Sequence, residues 1–149
     1  YHLRTTQEVP VVYDNSKVKG DWAEMEVMVF LTRSGYRVSI PFGENCPYDL
    51  VAESPAGNLY RVQVRWSSWK SGLLSVRLRA KSKNYCRSLD LSRIDVFAIF
   101  DGTHIYLIPT VDLGHCKAEF TLRADPPKNN QKVGISMAED YREAAHRIP

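Results

Sequence analysis

The chain has 149 residues, 44% of them hydrophobic and 25% charged, with a formal net charge of +3. Such a composition predicts one soluble globular domain with a core of its own and excludes the disordered and fibrous classes. The longest apolar runs, Val27 to Leu31 and Val96 to Phe100, fall far short of the roughly 20 residues that a bilayer span needs. Cys46, Cys86 and Cys116 are odd in number and without a CxxC pair, so neither a disulfide framework nor a zinc site is indicated, and an intracellular compartment with no membrane partner is expected.

Residues 1 to 16 hold scattered polar side chains around Val9-Pro10-Val11-Val12 and read as an N-terminal arm, leaving 17 to 149 as the domain. Asp21 is expected to open a helix in which Ala23, Val27, Phe30 and Leu31 recur at helical spacing, with Gly35 placed for a left-handed C-terminal cap. Strand character follows at 36–40, 48–53, 59–66, 75–79, 94–100 and 104–108, punctuated by proline and glycine turns. Within 59–66 the apolar Val62, Val64 and Trp66 alternate with Arg61, Gln63 and Arg65, which predicts one buried and one polar face. Pro126 to Asn130 is a loop, and Ser136, with Glu139 at capping-box spacing, is expected to begin a terminal helix that packs through Met137, Ala138, Tyr141, Ala144, Ala145 and Ile148. This order gives an α/β single domain with a mixed β-sheet flanked by helices.

Charge is unevenly distributed along the chain. Between Tyr60 and Arg93 there are nine basic residues against the single acid Asp90, interleaved with Trp66, Trp69 and Tyr85, whereas Asp21 to Leu59 carries six acids against Arg33 and Arg37. A basic, aromatic segment suits a surface that meets phosphates and bases, and the plainer reading is a solvated strand face. Carboxylates beside a phosphate-binding surface repel the ligand unless a cation bridges them, which is the arrangement a metal-dependent nuclease requires.

Three elements carry that chemistry: Glu24 on the first helix, Asp49 at the start of a strand, and Gln63-Val64-Arg65 on the next. A hard divalent cation needs oxygen ligands on rigid elements, and residues two apart on a strand share a face, so Gln63 and Arg65 can point into one cleft that Asp49 joins. Simpler roles exist for each. Glu24 stands where the N3 partner of an Asp21 cap would be, Asp49 beside Pro47 suits a turn, Gln63 a cross-strand hydrogen bond and Arg65 a phosphate contact; His104 and His115 read as surface or structural residues.

In order and spacing these residues resemble the PD-(D/E)XK nuclease superfamily, and within it the subgroup containing the group I intron homing endonuclease of cyanobacteria. Lys19-Gly20, Glu24 and Gly35-Tyr36-Arg37-Val38 are similar to the opening helix and first strand of that family. Ile40-Pro41-Phe42-Gly43-Glu44-Asn45-Cys46-Pro47-Tyr48-Asp49-Leu50 looks like its metal-binding strand and Val62-Gln63-Val64-Arg65 like its (D/E/Q)xK strand. Asn84-Tyr85, Asp95 to Phe100 and Ile105 to Pro109 look like its last core strands.

The resemblance implies a restriction-endonuclease-like core of αβββαβ type and a site-specific endonuclease that hydrolyses double-stranded DNA with Mg²⁺, Mn²⁺ being able to substitute, in a prokaryotic cytoplasm. It assigns the metal to Asp49, to the neutral carbonyl of Gln63, to the backbone carbonyl of Val64 and to Glu24. Arg65 stands where the family carries lysine, and arginine cannot serve as a general base, although its forked donors can stabilise charge on a phosphoryl oxygen. Lys19, Lys70, Arg77, Arg79, Lys81 and Lys83 are the expected DNA contacts. Cutting two strands takes two sites, so a homodimer or homotetramer is expected. The alternatives are a Holliday-junction resolvase, a restriction-type enzyme, and a catalytically inactive DNA-binding module to which the Gln63 and Arg65 departures would point.

Overall fold

In the computed structural model, residues 15–81, 86–88, 90–114 and 118–149 are described; residues 1–14 of the expected arm, Lys83 and His115 lie outside them. Helix α1 runs over Ser16–Arg33 and is capped by Asn15, whose side chain accepts from the Lys17 N–H at 2.9 Å. The helix therefore begins five residues ahead of the expected Asp21, because an Asx cap with no apolar residue beside it leaves no periodic trace. Glu24 consequently sits in mid-helix, and the N3 capping role is excluded. Ala23, Val27 and Leu31 form its buried stripe. At the other end Gly35, at φ +90°, closes the expected left-handed cap: its N–H donates to the Thr32 carbonyl and the Tyr36 N–H to that of Leu31.

Strands β1 (Arg37–Ser39), β2 (Leu50–Glu53) and β3 (Leu59–Trp66) follow, then β4 (Leu73–Arg77), β5 (Arg79–Lys81), β6 (Cys86–Ser88), β7 (Val96–Phe100), β8 (Ile105–Pro109) and β9 (Glu119–Arg123). One five-stranded sheet has the order β1-β2-β3-β7-β8, antiparallel except for the parallel β3/β7 pair, so it is mixed as expected. The β4/β9 and β5/β6 pairs form two separate ribbons. Where the αβββαβ scheme places its second helix, in the crossover from β3 to β7, the described residues hold β4, β5, β6 and a single 3₁₀ turn at Leu91–Arg93.

Three layers result. Helix α1 packs on one sheet face through Leu50, Ala52, Val62, Val64, Val96, Ala98 and Leu107. The β4/β9 ribbon covers the other face, its Leu74, Val76, Phe120 and Leu122 clustering with Phe97, Ile99, Tyr106 and Ile108. Strands covered on both sides read as unbroken apolar runs, which is what β7 and β8 are. It also corrects the expected polar face of β3, since Gln63 is only 6% exposed. Among the described residues no helix is long and apolar enough to cross a membrane.

The expected terminal helix from Ser136 does not form. The segment holds two 3₁₀ turns, Ala138–Asp140 and Ala145–Arg147, and the Ser136 capping box is not made. Its backbone bonds to the sheet instead: the Leu107 N–H donates to Tyr141 O at 3.0 Å, the Glu143 N–H to Ile105 O at 2.7 Å and the Arg123 N–H to Ser136 O at 2.9 Å. Edge groups of β8 and β9 outcompete the i to i+4 ladder, yet Ala138, Tyr141, Ala144 and Ile148 are buried as the pattern required.

The parallel pair is fixed by a charged clamp. Arg61 donates to both oxygens of Asp95, Nε to Oδ2 and Nη2 to Oδ1 at 2.9 Å each, while the two residues are also joined through their backbones. One member of the basic run is thus committed to structure. Replacing Leu31, fully buried, by alanine is expected to cost about 2–5 kcal/mol in urea unfolding. The same change at Leu59, 66% exposed, should stay within about 0.5 kcal/mol; equal losses would contradict the layer arrangement.

Candidate active site

The β1–β2 connection rejoins the sheet at Asp49, whose N–H donates to Val62 O at 2.9 Å. Leu50 pairs with Val62, so Asp49 stands one step further, opposite Gln63. Its Oδ2 accepts two hydrogen bonds from β3, from Gln63 Nε2 at 2.6 Å and from the Val64 N–H at 2.8 Å. A backbone donor of a central strand is therefore satisfied by a carboxylate and not by a neighbouring strand, and this fixes Asp49 against β3. The cross-strand reading of Gln63 is what the side chain does.

Asp49 faces a pocket of about 350 Å³ whose walls include Lys19, Glu24, Val64, Arg65 and Trp66. Residues from α1, β3 and the start of β2, far apart in sequence, thus share one cavity. Gln63 does not line it and stands behind Asp49, its Nε2 also 3.5 Å from Val64 O. Trp66 forms one wall and is held by Trp22 and Phe100, each ring centroid 5.2 Å away. The Lys19 ammonium lies 5.8 Å from the Trp66 ring centroid.

The electrostatics are those of two carboxylates crowded in a partly desolvated space. Burial, then the charge of Asp49, then that of Asp21 push the Glu24 carboxyl up from its ordinary range. Burial also raises Asp49, against the opposing pull of the Val64 N–H, Arg65 and Gln63. Arg65 is half-buried, and burial lowers its guanidinium while Asp49 resists the shift. Among the described residues it makes no hydrogen bond or ion pair, so its donors are available to a ligand. No group of three or more His, Cys, Asp or Glu side chains gathers among the described residues. A cation here would be held by two carboxylates supplemented by neutral oxygens, a hard donor set suited to Mg²⁺ or Mn²⁺ and unsuited to a soft metal.

Of the expected DNA contacts, Lys19 lines this pocket, whereas Lys70 and Arg77 line a second cavity beside it that shares Arg65 and Trp66. Arg79 and Lys81 lie on β5. His104 is 3.5 Å from Glu143, away from the pocket walls. The sequence reading missed Trp66 as a wall; its position directly after Arg65 at the end of a strand was the available signal.

The family profile of the PD-(D/E)XK endonucleases matches residues 14–144. Among solved structures the chain is similar to a bacterial homing endonuclease, I-Ssp6803I, at 25% identity and a TM-score of 0.70, over 89% of this chain and 91% of that one. It is also similar to Hjc, a Holliday junction resolvase of Archaeoglobus fulgidus, at 15% identity and a TM-score of 0.49, over 70% and 84% of the two chains. No curated protein matches it in sequence.

A carboxyl whose pKa is raised by folding holds its proton more tightly in the folded state, so its contribution to stability is present at low pH and lost as pH rises through the folded value. In metal-free buffer Glu24→Gln is therefore expected to melt at a higher temperature than the parent at pH 7. The gain should vanish as pH falls below about 4, where glutamate is protonated in both states. A gain that grows on acidification would contradict the crowding of Glu24 with Asp49.

Proposed function

The chain belongs to the PD-(D/E)XK endonuclease family, and from that premise we propose that it is a divalent-metal-dependent, site-specific endonuclease of double-stranded DNA, like the homing endonuclease it resembles. The observation that carries this reading is the fastening of Asp49 to β3 with Glu24 and Arg65 on the walls of the same pocket. Asp49, Glu24 and the Val64 carbonyl would hold the ion. Gln63, which stands behind Asp49 and not on the pocket wall, would orient Asp49 through its amide nitrogen and leave the neutral oxygen to Val64. Bound Mg²⁺, or Mn²⁺ in its place, supplies Lewis-acid neutralisation of the phosphoryl oxygens and lowers the pKa of water.

The remaining work falls to the chain's own side chains. Arg65 cannot accept a proton, so its part is to present forked N–H donors to the non-bridging oxygens as charge develops there. Partial burial strengthens that interaction, because little water competes for the guanidinium. Trp66, held by its aromatic neighbours, keeps one wall of the pocket fixed and limits solvent around Arg65. Lys19, Lys70 and Arg77 would contact the duplex backbone, as would Arg79, Lys81 and Lys83 of the same basic run in the sequence. One site per chain and two strands to cut make a homodimer or homotetramer the working unit.

With plasmid and Mg²⁺, the parent is expected to nick and linearise DNA while Asp49→Ala binds DNA but leaves it intact. Equal cleavage by both sinks the assignment. Arg65→Ala should lower kcat by about 10²–10³, the loss typical of removing a preorganised donor to a developing oxyanion; an unchanged kcat would reduce Arg65 to a binding contact.

A further inference from the structure

Beyond Arg65, away from the Asp49 carboxylate, a larger cavity of about 560 Å³ opens between the end of β3 and the β4/β9 ribbon. Its polar lining is cationic and hydroxylic, with Arg65, Lys70 and Arg77 beside Ser67, Ser68 and Ser75, and a single carboxylate, Glu119. Two of the hydroxyls build the wall: Ser67 Oγ donates to Ser75 O at 2.6 Å, and Ser75 Oγ bonds Thr121 Oγ1 at 3.1 Å. Ser68 Oγ accepts from the Trp66 indole N–H at 3.3 Å and keeps its own proton to donate. Among the described residues Arg65, Lys70 and Arg77 have no hydrogen-bonded or paired acid, although Arg77 faces Glu119 across the ribbon in register.

Three cations that line one roomy cavity, none of them hydrogen-bonded or ion-paired to a carboxylate among the described residues and only Arg77 with one, Glu119, across the ribbon, describe a site whose anion comes from outside. Because Arg65 and Trp66 line both cavities, an anion bound in the larger one adjoins whatever occupies the Asp49 pocket. We propose that this cavity is a second phosphate subsite, holding a backbone phosphodiester that flanks the scissile one on the same duplex, and that Glu119 at its edge weakens that grip. The subsite rests on the nuclease reading for the identity of its ligand. Of its cations, Arg65 comes from β3 and is shared with the Asp49 pocket, whereas Lys70 and Arg77 stand at the two ends of β4 and line the larger cavity alone. Lys70 precedes β4 and Arg77 ends it, so the strand's length fixes the two charges along the cavity wall. Glu119, opposite Arg77, is then a carboxylate placed where a phosphate would approach. Its repulsion would favour release of duplex from a protein that carries a basic run.

The test measures the affinity of the whole chain for a labelled mixed-sequence duplex by fluorescence anisotropy, without divalent ions, over about 50–200 mM salt. The double variant Lys70→Ala/Arg77→Ala is expected to bind more weakly, and its slope of log K against log salt should be shallower by about 0.9, the value for one phosphate that is no longer neutralised. Arg33→Ala/Arg37→Ala removes the same charge from residues that line neither cavity and should leave that slope unchanged. Glu119→Gln should tighten binding about two- to fivefold. An unchanged slope in the first variant, or an equal change in the second, overturns the subsite, as does weaker binding by Glu119→Gln. Failure of the nuclease reading shows separately, as Asp49→Ala cutting plasmid like the parent.

Discussion

Asp49 Oδ2 is bonded to β3 by two donors, an amide N–H of Gln63 and the backbone N–H of Val64. The rest of the site depends on that attachment. A carboxylate at the end of a long loop would otherwise turn toward solvent, particularly one that burial pushes toward protonation. Two charge-assisted hydrogen bonds at 2.6 and 2.8 Å oppose that tendency and hold the carboxylate at the pocket. The cost falls on Gln63, an amide buried at 6% exposure, which a buried strand tolerates only because its donor is satisfied. A glutamate at 63 would set a second negative charge against Asp49. The amide both avoids that repulsion and supplies the bond.

The layers explain why the polar groups stand where they do. Strand β3 lies at the centre of the sheet, with α1 on one face and the β4/β9 ribbon on the other. Its middle is sealed, and it reaches the surface at both ends. At the N-terminal end Arg61 clamps Asp95, whose carboxyl is held below the usual range chiefly by that hydrogen bond, and the parallel register with β7 is fixed there. At the C-terminal end Arg65 and Trp66 emerge between two cavities. Parallel pairing forces a long crossover, and the crossover brings Lys70 and Arg77 back beside the strand they left.

What the sequence made legible follows the same division. Strand β3, the buried stripe of α1, the left-handed Gly35 and the apolar runs of β7 and β8 are local patterns enforced by burial, and they could be read from period and punctuation. Glu24, Asp49 and Arg65 were legible as candidates because spacing and the Pro-Phe-Gly-Glu-Asn string point to them, but their meeting depends on α1 crossing the sheet at one angle. The start of α1 was hidden because Asn15 caps it without an apolar neighbour. The terminal segment misled for a different reason: its apolar spacing is real and its residues are buried, yet the edges of β8 and β9 take its backbone hydrogen bonds. Strand β9 was missed because its apolar residues, Phe120 and Leu122, are only two, too few to show a period. Nor can composition reveal that Arg61 belongs to Asp95 while Arg65 has no acid bonded to it among the described residues.

Arginine at position 65 is the point where site and scaffold meet most tightly. A lysine ammonium at this depth, with Gln63 in place of an acid on β3, would have Asp49 and the Glu24 of the same pocket to hold its proton, and buried lysines lose charge readily. A guanidinium is lowered by the same burial and still stays charged throughout the working range of pH. It is also wide enough to border two cavities at once, where an ammonium is a single point. The exchange gives up any proton transfer at this residue and keeps a permanent cation with several donors between the carboxylate pocket and the cationic groove. Gln63 and Arg65 thus suit one another: a neutral amide at 63 leaves less negative charge to keep a lysine protonated, and the arginine needs no such support.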